Sequence, residues 1–167
     1  ACTRTVVGSY DPNAKEVNQP EWIAGDEWLL YTVQFQNTGT DTAFNVSVRD
    51  QIDSNLDMNT FQMLGASHNY RLNIHAGGEA VWEFPNILLA DSNTNEELSH
   101  GHILYRIKPK PNLNPGTAMY NTAAIYFDFN APIITNTTVN RIEYAVGIED
   151  EAIPGLVVAP NPAREVV

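Results

Sequence analysis

Lys15, Asp50 and Asn121 carry the side chains in this sequence that could react with one another. In an extended strand, side chains alternate between the two faces. Along Phe44-Asn45-Val46-Ser47-Val48-Arg49-Asp50, one face carries Phe44, Val46 and Val48, and Asp50 falls on it. Along Asn121-Thr122-Ala123-Ala124-Ile125-Tyr126-Phe127, Asn121 shares a face with Ala123, Ile125 and Phe127. In the short run Lys15-Glu16-Val17 the lysine sides with Val17. An amine, a carboxyl group and a carboxamide on inward faces must satisfy one another, because each is costly to bury unpaired. A reaction is also open to them. A desolvated lysine loses its proton, and its neutral amine can attack the amide carbon of Asn121. Asp50, protonated, can hydrogen-bond the amide oxygen and shuttle protons. Ammonia leaves and a Lys15–Asn121 isopeptide bond remains. The competing structural reading has Lys15 solvated, Asp50 capping the turn into Gln51-Ile52-Asp53, and Asn121 bonded to nearby backbone.

The elements that would position these residues read as strands. Short alternating runs rich in Val, Ile, Thr, Tyr and Phe lie near 15–17, 27–37, 43–50, 70–74, 80–84, 102–108, 118–129 and 137–144. Turn signals separate them: Asn37-Thr38-Gly39, His75-Ala76-Gly77-Gly78 and Asn112-Leu113-Asn114-Pro115-Gly116. Asn59–Leu64 reads at most as a single helical turn. The expected fold is all-β, a two-sheet Greek-key sandwich of the immunoglobulin-like kind. Residues 9–146 form the sandwich and residues 1–8 its upstream end. Residues 147–167 read as an acidic linker, Gly147–Glu151, and the start of a further segment; its Pro160 and Pro162 cannot sit in a central strand.

Composition removes several function classes. The chain has 167 residues, with 9 Lys and Arg against 20 Asp and Glu, a formal charge of -11. That balance opposes nucleic-acid binding and docking on an anionic membrane. With 43% apolar and 17% charged residues it is not a disordered acidic tail. A single cysteine, Cys2, precludes an internal disulfide or a cysteine-based zinc site. No apolar run reaches the length of a membrane-spanning helix. Residues 1–8 do not read as a signal peptide, so a leader was removed or the chain is a piece of a longer one.

Other constellations are weaker. Asp53, Asn55 and Asp57, and likewise Asp91, Asn93 and Asn95, space oxygen ligands by two as calcium loops do. Both sets lack the Gly and Glu that an EF-hand requires, and Asx turns explain them as well. No cofactor is expected. His100 and His102 could face one way, but no third metal ligand follows at a fixed spacing. There is no G-x-S-x-G, and no Cys/His pair beyond Cys2, so an enzyme is not expected. Trp22 and Trp28 could stack on sugars, whereas Trp82 shares parity with Phe84 and reads as core. Thr42, in Asp41-Thr42-Ala43, resembles a Bacteroidota O-glycosylation acceptor.

Longer strings carry a resemblance. Ser9-Tyr10-Asp11-Pro12-Asn13-Ala14-Lys15 opens the domain, and the run from Phe35 to Val46 contains Asn37-Thr38-Gly39-Thr40. Asn121-Thr122-Ala123-Ala124-Ile125-Tyr126-Phe127-Asp128-Phe129-Asn130 is followed by Pro132-Ile133-Ile134-Thr135-Asn136. From Ser9 to Ile142 these resemble the uncharacterised sandwich domain that precedes the type A sorting domain in type IX–secreted proteins of Bacteroidota. Val158-Ala159-Pro160-Asn161-Pro162-Ala163 is similar to the first strand of that sorting domain. The order Lys, acid, late Asn also resembles the isopeptide-forming domains of bacterial adhesins and pilins. The resemblance implies a secreted or cell-surface location and no transferable enzymatic activity. The expectation is a structural spacer of an adhesin, stalk or filament, its partners being neighbouring domains of the same polypeptide. Two alternatives remain open: a module binding a surface glycan or a protein, and a subunit that pairs strands with like subunits.

Overall fold

A computed structural model describes residues 12–144. The upstream end at 1–8, Cys2 and the linker and sorting-like segment at 147–167 lie outside the described residues. Among the described residues twelve strands run in chain order. They are β1 (Lys15–Val17), β2 (Trp22–Ile23), β3 (Leu29–Gln36), β4 (Val46–Gln51), β5 (Leu56–Ala66) and β6 (Arg71–Ile74). Then follow β7 (Glu79–Phe84), β8 (His100–Pro109), β9 (Ala118–Asn121), β10 (Ala123–Phe127), β11 (Ile133–Ile134) and β12 (Thr138–Ile142). They form a sheet in the order β1-β3-β8-β5, a second in the order β11-β10-β4-β7-β6, and a small third one, β2-β12-β9. The architecture is the expected all-β sandwich.

Alternation drives it. In β3 Leu29, Tyr31, Val33 and Phe35 are fully buried while Leu30, Thr32 and Gln34 are half-buried, and β8 buries Ile103, Tyr105 and Ile107 against them. The second sheet contributes Val46 and Val48 from β4, Trp82 and Phe84 from β7, and Ile125 from β10 to the same continuous core. Where β3 pairs with β8, Gly101 lies opposite Phe35, and a Cβ there would fall 2.1 Å from the phenyl ring. The ring therefore occupies the volume that glycine leaves open. Gly77 and Gly78 take positive φ in the β6–β7 hairpin, as the turn signal there predicts.

Three local expectations are corrected. The stretch Asn59–Leu64 is part of the eleven-residue strand β5, not a helical turn. Its polar residues break the alternation, and its pairing with β8 shifts register twice. The single strand expected at 118–129 is two strands. They part at Thr122: β9 pairs with β12 in the small sheet, while β10 pairs with β4 in the large one. Phe44 lies before β4 and is 56% exposed, so the inward face begins at Val46.

Candidate functional site: a sealed amine, acid and carboxamide

Four polar side chains meet between the sheets. Lys15, Asp50 and Tyr105 are 0% exposed and Asn121 is 1% exposed. Lys15 Nζ donates to Asp50 Oδ2 in a very short contact, and to Tyr105 Oη at 3.1 Å. Tyr105 Oη donates to the same Asp50 oxygen at 2.7 Å. Asn121 Nδ2 donates to Tyr105 Oη at 3.0 Å. The three residues singled out by strand parity are thus brought into one hydrogen-bonded group, with a tyrosine at its centre.

Each position has a local cause. Lys15 opens the edge strand β1, where Lys15 faces Val33. The neighbouring Ala14 exchanges both main-chain bonds with Gln34, so the Lys15 main chain points away from β3. There the Asn136 side chain serves as a substitute strand: its Oδ1 accepts from Lys15 N at 2.9 Å and its Nδ2 donates to Lys15 O at 2.8 Å. Asp50 lies between two strands, directly opposite Ala80 in β7 and Ala123 in β10. Those methyl side chains leave room over Asp50 for a lysine stem. Asn121 ends β9 just before the chain changes sheet, opposite Thr138, whose hydroxyl donates to Asn121 O at 3.3 Å.

The surroundings are aromatic. Lys15 Nζ sits 5.1 Å from the Tyr31 ring centroid and 5.5 Å from that of Tyr105. Tyr105 stacks on Tyr31, Phe61 and Trp82. Burial in this dry cage lowers the Lys15 pKa to about 8, against the opposing pull of Asp50's charge and hydrogen bond. Burial, reinforced by Asp50, pushes the Tyr105 phenol well above its ordinary value. Asp50 Oδ1 and Asn121 Oδ1 have no hydrogen-bond partner among the described residues. Unpaired buried polar atoms in one small volume are costly in a purely structural cluster. Asn121 Oδ1 is the atom on which negative charge would develop if its carboxamide were attacked, and a donor there, such as a protonated Asp50, would stabilise it.

The remaining candidates are placed apart from this group. Trp22 is 45% exposed and lies against Tyr144, at a centroid distance of 6.1 Å. Trp28 is half-buried beneath Arg106 and Lys108, at 4.3 and 5.0 Å from its ring. Cations, not open space, occupy that indole face. Trp82 is buried in the core. Thr42 is half-buried, its N–H donating to Asp41 Oδ1 at 2.7 Å. At the residues spaced like calcium ligands, the side-chain oxygens already accept from N–H groups of the protein. Asp53 accepts from Asn55 N and Tyr120 N, and Asp57 from Asn59 N and Nδ2. Asp91 accepts from Asn93 N and Thr94 N, and Asn95 from Leu98 N. Among the described residues no group of three His, Cys, Asp or Glu side chains is arranged to hold a metal. His100 pairs with Glu96 at 3.0 Å. No described helix is long and apolar enough to cross a membrane.

Sequence reasoning missed Tyr105 and Asn136. Tyr105 alternates with Ile103 and Ile107 and so reads as core; the available signal was that a buried phenol needs a partner. Nothing in the local pattern around Asn136 announces a main-chain clamp.

The sandwich is similar in fold to domains of bacterial pilins and of an AgI/II polypeptide. It is similar to the C-terminal domain of the AgI/II polypeptide BspA of Streptococcus agalactiae, with a TM-score of 0.56 and 13% identity over 78% of this chain and 49% of that one. It is similar to domains D2 and D3 of the major pilin SpaD of Corynebacterium diphtheriae, with a TM-score of 0.52 and 18% identity over 75% and 50% of the two chains. BcpA, the major pilin subunit of Bacillus cereus, gives a TM-score of 0.52 and 13% identity over 77% and 39%. At these identities the likeness is one of fold, and this chain spans half or less of the length of those solved chains. Residues 11–141 match the family described as Domain of unknown function (DUF7619), and the chain belongs to it. No curated protein matches the sequence.

Proposed function

We propose that this domain is a load-bearing structural module of a secreted cell-surface adhesin, stalk or filament, locked by a Lys15–Asn121 isopeptide bond. The observation that carries this reading is the sealing of the reactive group. With Lys15, Asp50 and Asn121 at 0%, 0% and 1% exposure, no external substrate reaches the amine. Asn121 is the carboxamide joined to it through hydrogen bonds. The domain acts on itself once and is not an enzyme in the turnover sense. The likeness to pilin and adhesin folds supports a surface role. The strings shared with domains that precede a type A sorting domain support export by the type IX route in Bacteroidota.

The reaction balances within the site. Lys15 passes one proton to Asp50, and the free Nζ lone pair forms a bond to Asn121 Cγ. The carbonyl pair moves onto Oδ1 and returns as the Cγ–Nδ2 bond breaks. Nδ2 leaves as ammonia with one further proton lost by Nζ. A buried ammonium–carboxylate pair becomes a neutral acid beside a neutral amide. That removes the desolvation cost of two interior charges and gives the reaction a driving force beyond the bond exchange.

A pH dependence follows. The proton shared by Lys15 and Asp50 must sit on Asp50 when the amine attacks. Raising the pH through about 8, where Lys15 gives up its proton, sends that proton to solvent and leaves an amine without an acid. Ammonia loss in freshly synthesised chain, followed by intact mass, is expected to proceed at a level rate below about pH 8 and to slow above it. A rate that keeps rising above that pH would show that the amine works without Asp50's proton.

The load-bearing role is tested by single-molecule extension between handles at the two ends. Force entering at β1 crosses to β9 through the bond. The whole segment from Lys15 to Asn121 is then expected to contribute no length, while β10, β11 and β12, which follow Asn121, still unravel. Full-length extension of the domain would refute the role.

A further inference from the structure

We infer that Tyr105 is a catalytic residue of the crosslinking reaction, carrying the proton from the attacking nitrogen of Lys15 to the departing nitrogen of Asn121. This rests on the reading of the site as isopeptide-forming and adds a group that the Lys, acid and Asn pattern does not contain. The phenol oxygen is within hydrogen-bond distance of both nitrogens exchanged in the reaction, Lys15 Nζ at 3.1 Å and Asn121 Nδ2 at 3.0 Å. It also donates to Asp50 Oδ2 at 2.7 Å. Asp50, by contrast, meets the amine directly but reaches the Asn121 amide nitrogen through Tyr105 in the hydrogen bonds present.

The geometry fits the problem the reaction poses. After Nζ adds to Cγ, one nitrogen holds a proton too many and the other needs one to leave. Both are buried from bulk solvent, so a protein group placed between them is the direct route for the transfer. In the starting state Asp50, as a carboxylate, attracts the phenol's hydrogen. Once Asp50 has taken a proton from Lys15, that demand ends and the O–H is free to turn toward Nδ2. By then Nδ2 is a tetrahedral amine with a lone pair to accept it. The phenol then receives the surplus proton of Nζ as it gives its own to Nδ2. The Cγ–Nδ2 electron pair leaves with ammonia, and Tyr105 ends as it began. Because burial and Asp50 oppose the phenolate, the two transfers are concerted and no free phenolate forms. The rings stacked on Tyr105 fix its oxygen between the two nitrogens.

The test follows ammonia loss by intact mass in full-length chain after a short pulse of synthesis, for wild type and for Tyr105→Phe. The phenyl ring keeps the stacking, and near-UV circular dichroism reports whether the fold is kept. Loss of a positioned acid–base group is expected to slow crosslinking about 100-fold or more. A second variant replaces Tyr105 with a fluorinated tyrosine, which retains the hydroxyl in nearly the same volume but makes it more acidic. Crosslinking is expected to occur there, at a rate altered from wild type together with its solvent isotope effect. If Tyr105→Phe crosslinks at the wild-type rate, or the fluorinated chain matches wild type in both rate and isotope effect, the role of Tyr105 is overturned while the crosslink stands. If wild type itself never loses ammonia, the crosslink falls and this role with it.

Discussion

A chain carrying Asn121→Ala is expected to unfold roughly 10–20 °C below wild type, because it loses the covalent closure and keeps the ion pair. A bond from Lys15 to Asn121 closes a loop of roughly 100 residues, and restricting the unfolded chain to that extent contributes about 4–5 kcal/mol. The Lys15–Asp50 pair and the phenol bond between Tyr105 and Asp50 do not involve Asn121 and persist in the variant. Differential scanning calorimetry on both chains reads the difference. A melting temperature within about 3 °C of wild type is what a lost hydrogen bond alone produces, and would speak against a covalent loop.

Asp50→Ala has a larger expected effect by a different route. Asp50's charge and hydrogen bond are the influences that hold Lys15 protonated against burial. Without them the amine becomes neutral more readily, so the nucleophile is present. Crosslinking is nonetheless expected to stop, since no protonated carboxyl group remains to hydrogen-bond the amide oxygen of Asn121 as charge develops on it. The variant also breaks a buried pair, at a cost of about 3–5 kcal/mol, with the lower end favoured because Lys15 can shed its charge. That loss and the missing closure together approach the whole stability of an ordinary domain. The variant is expected to keep its full mass and to melt below Asn121→Ala. An Asp50→Ala chain that still loses ammonia would show that amine and carboxamide react without the acid.

Much of this site could be read from alternation alone, since one residue's parity fixes its face wherever a strand is regular. Asp50 follows Val46 and Val48, and Asn121 precedes Ala123 and Ile125; all are buried. Lys15 was placed by a three-residue strand, and what holds it is a side chain far along the chain, Asn136. Such non-local support leaves no local pattern. Tyr105 was hidden for the opposite reason, because an amphipathic ring on an apolar face satisfies the pattern and conceals its hydroxyl. The strand β5 escaped because its polar residues and register shifts erase a period of two. The change of sheet at Thr122 is a tertiary event: both halves alternate correctly, and nothing in the run Asn121–Phe127 tells which partner each half takes. Phe44 went wrong where a strand was extended beyond its first hydrogen-bonded residue. Turns fared well because Gly77, Gly78 and Asn37 act through their own backbone and side chain.

Mass spectrometry of purified wild-type chain, intact and after proteolysis, tests the central claim most directly. The account predicts a mass lighter by one ammonia than the sequence requires, and one branched peptide joining Lys15 to Asn121. A full-weight chain whose fragments release these two residues on separate peptides would contradict it.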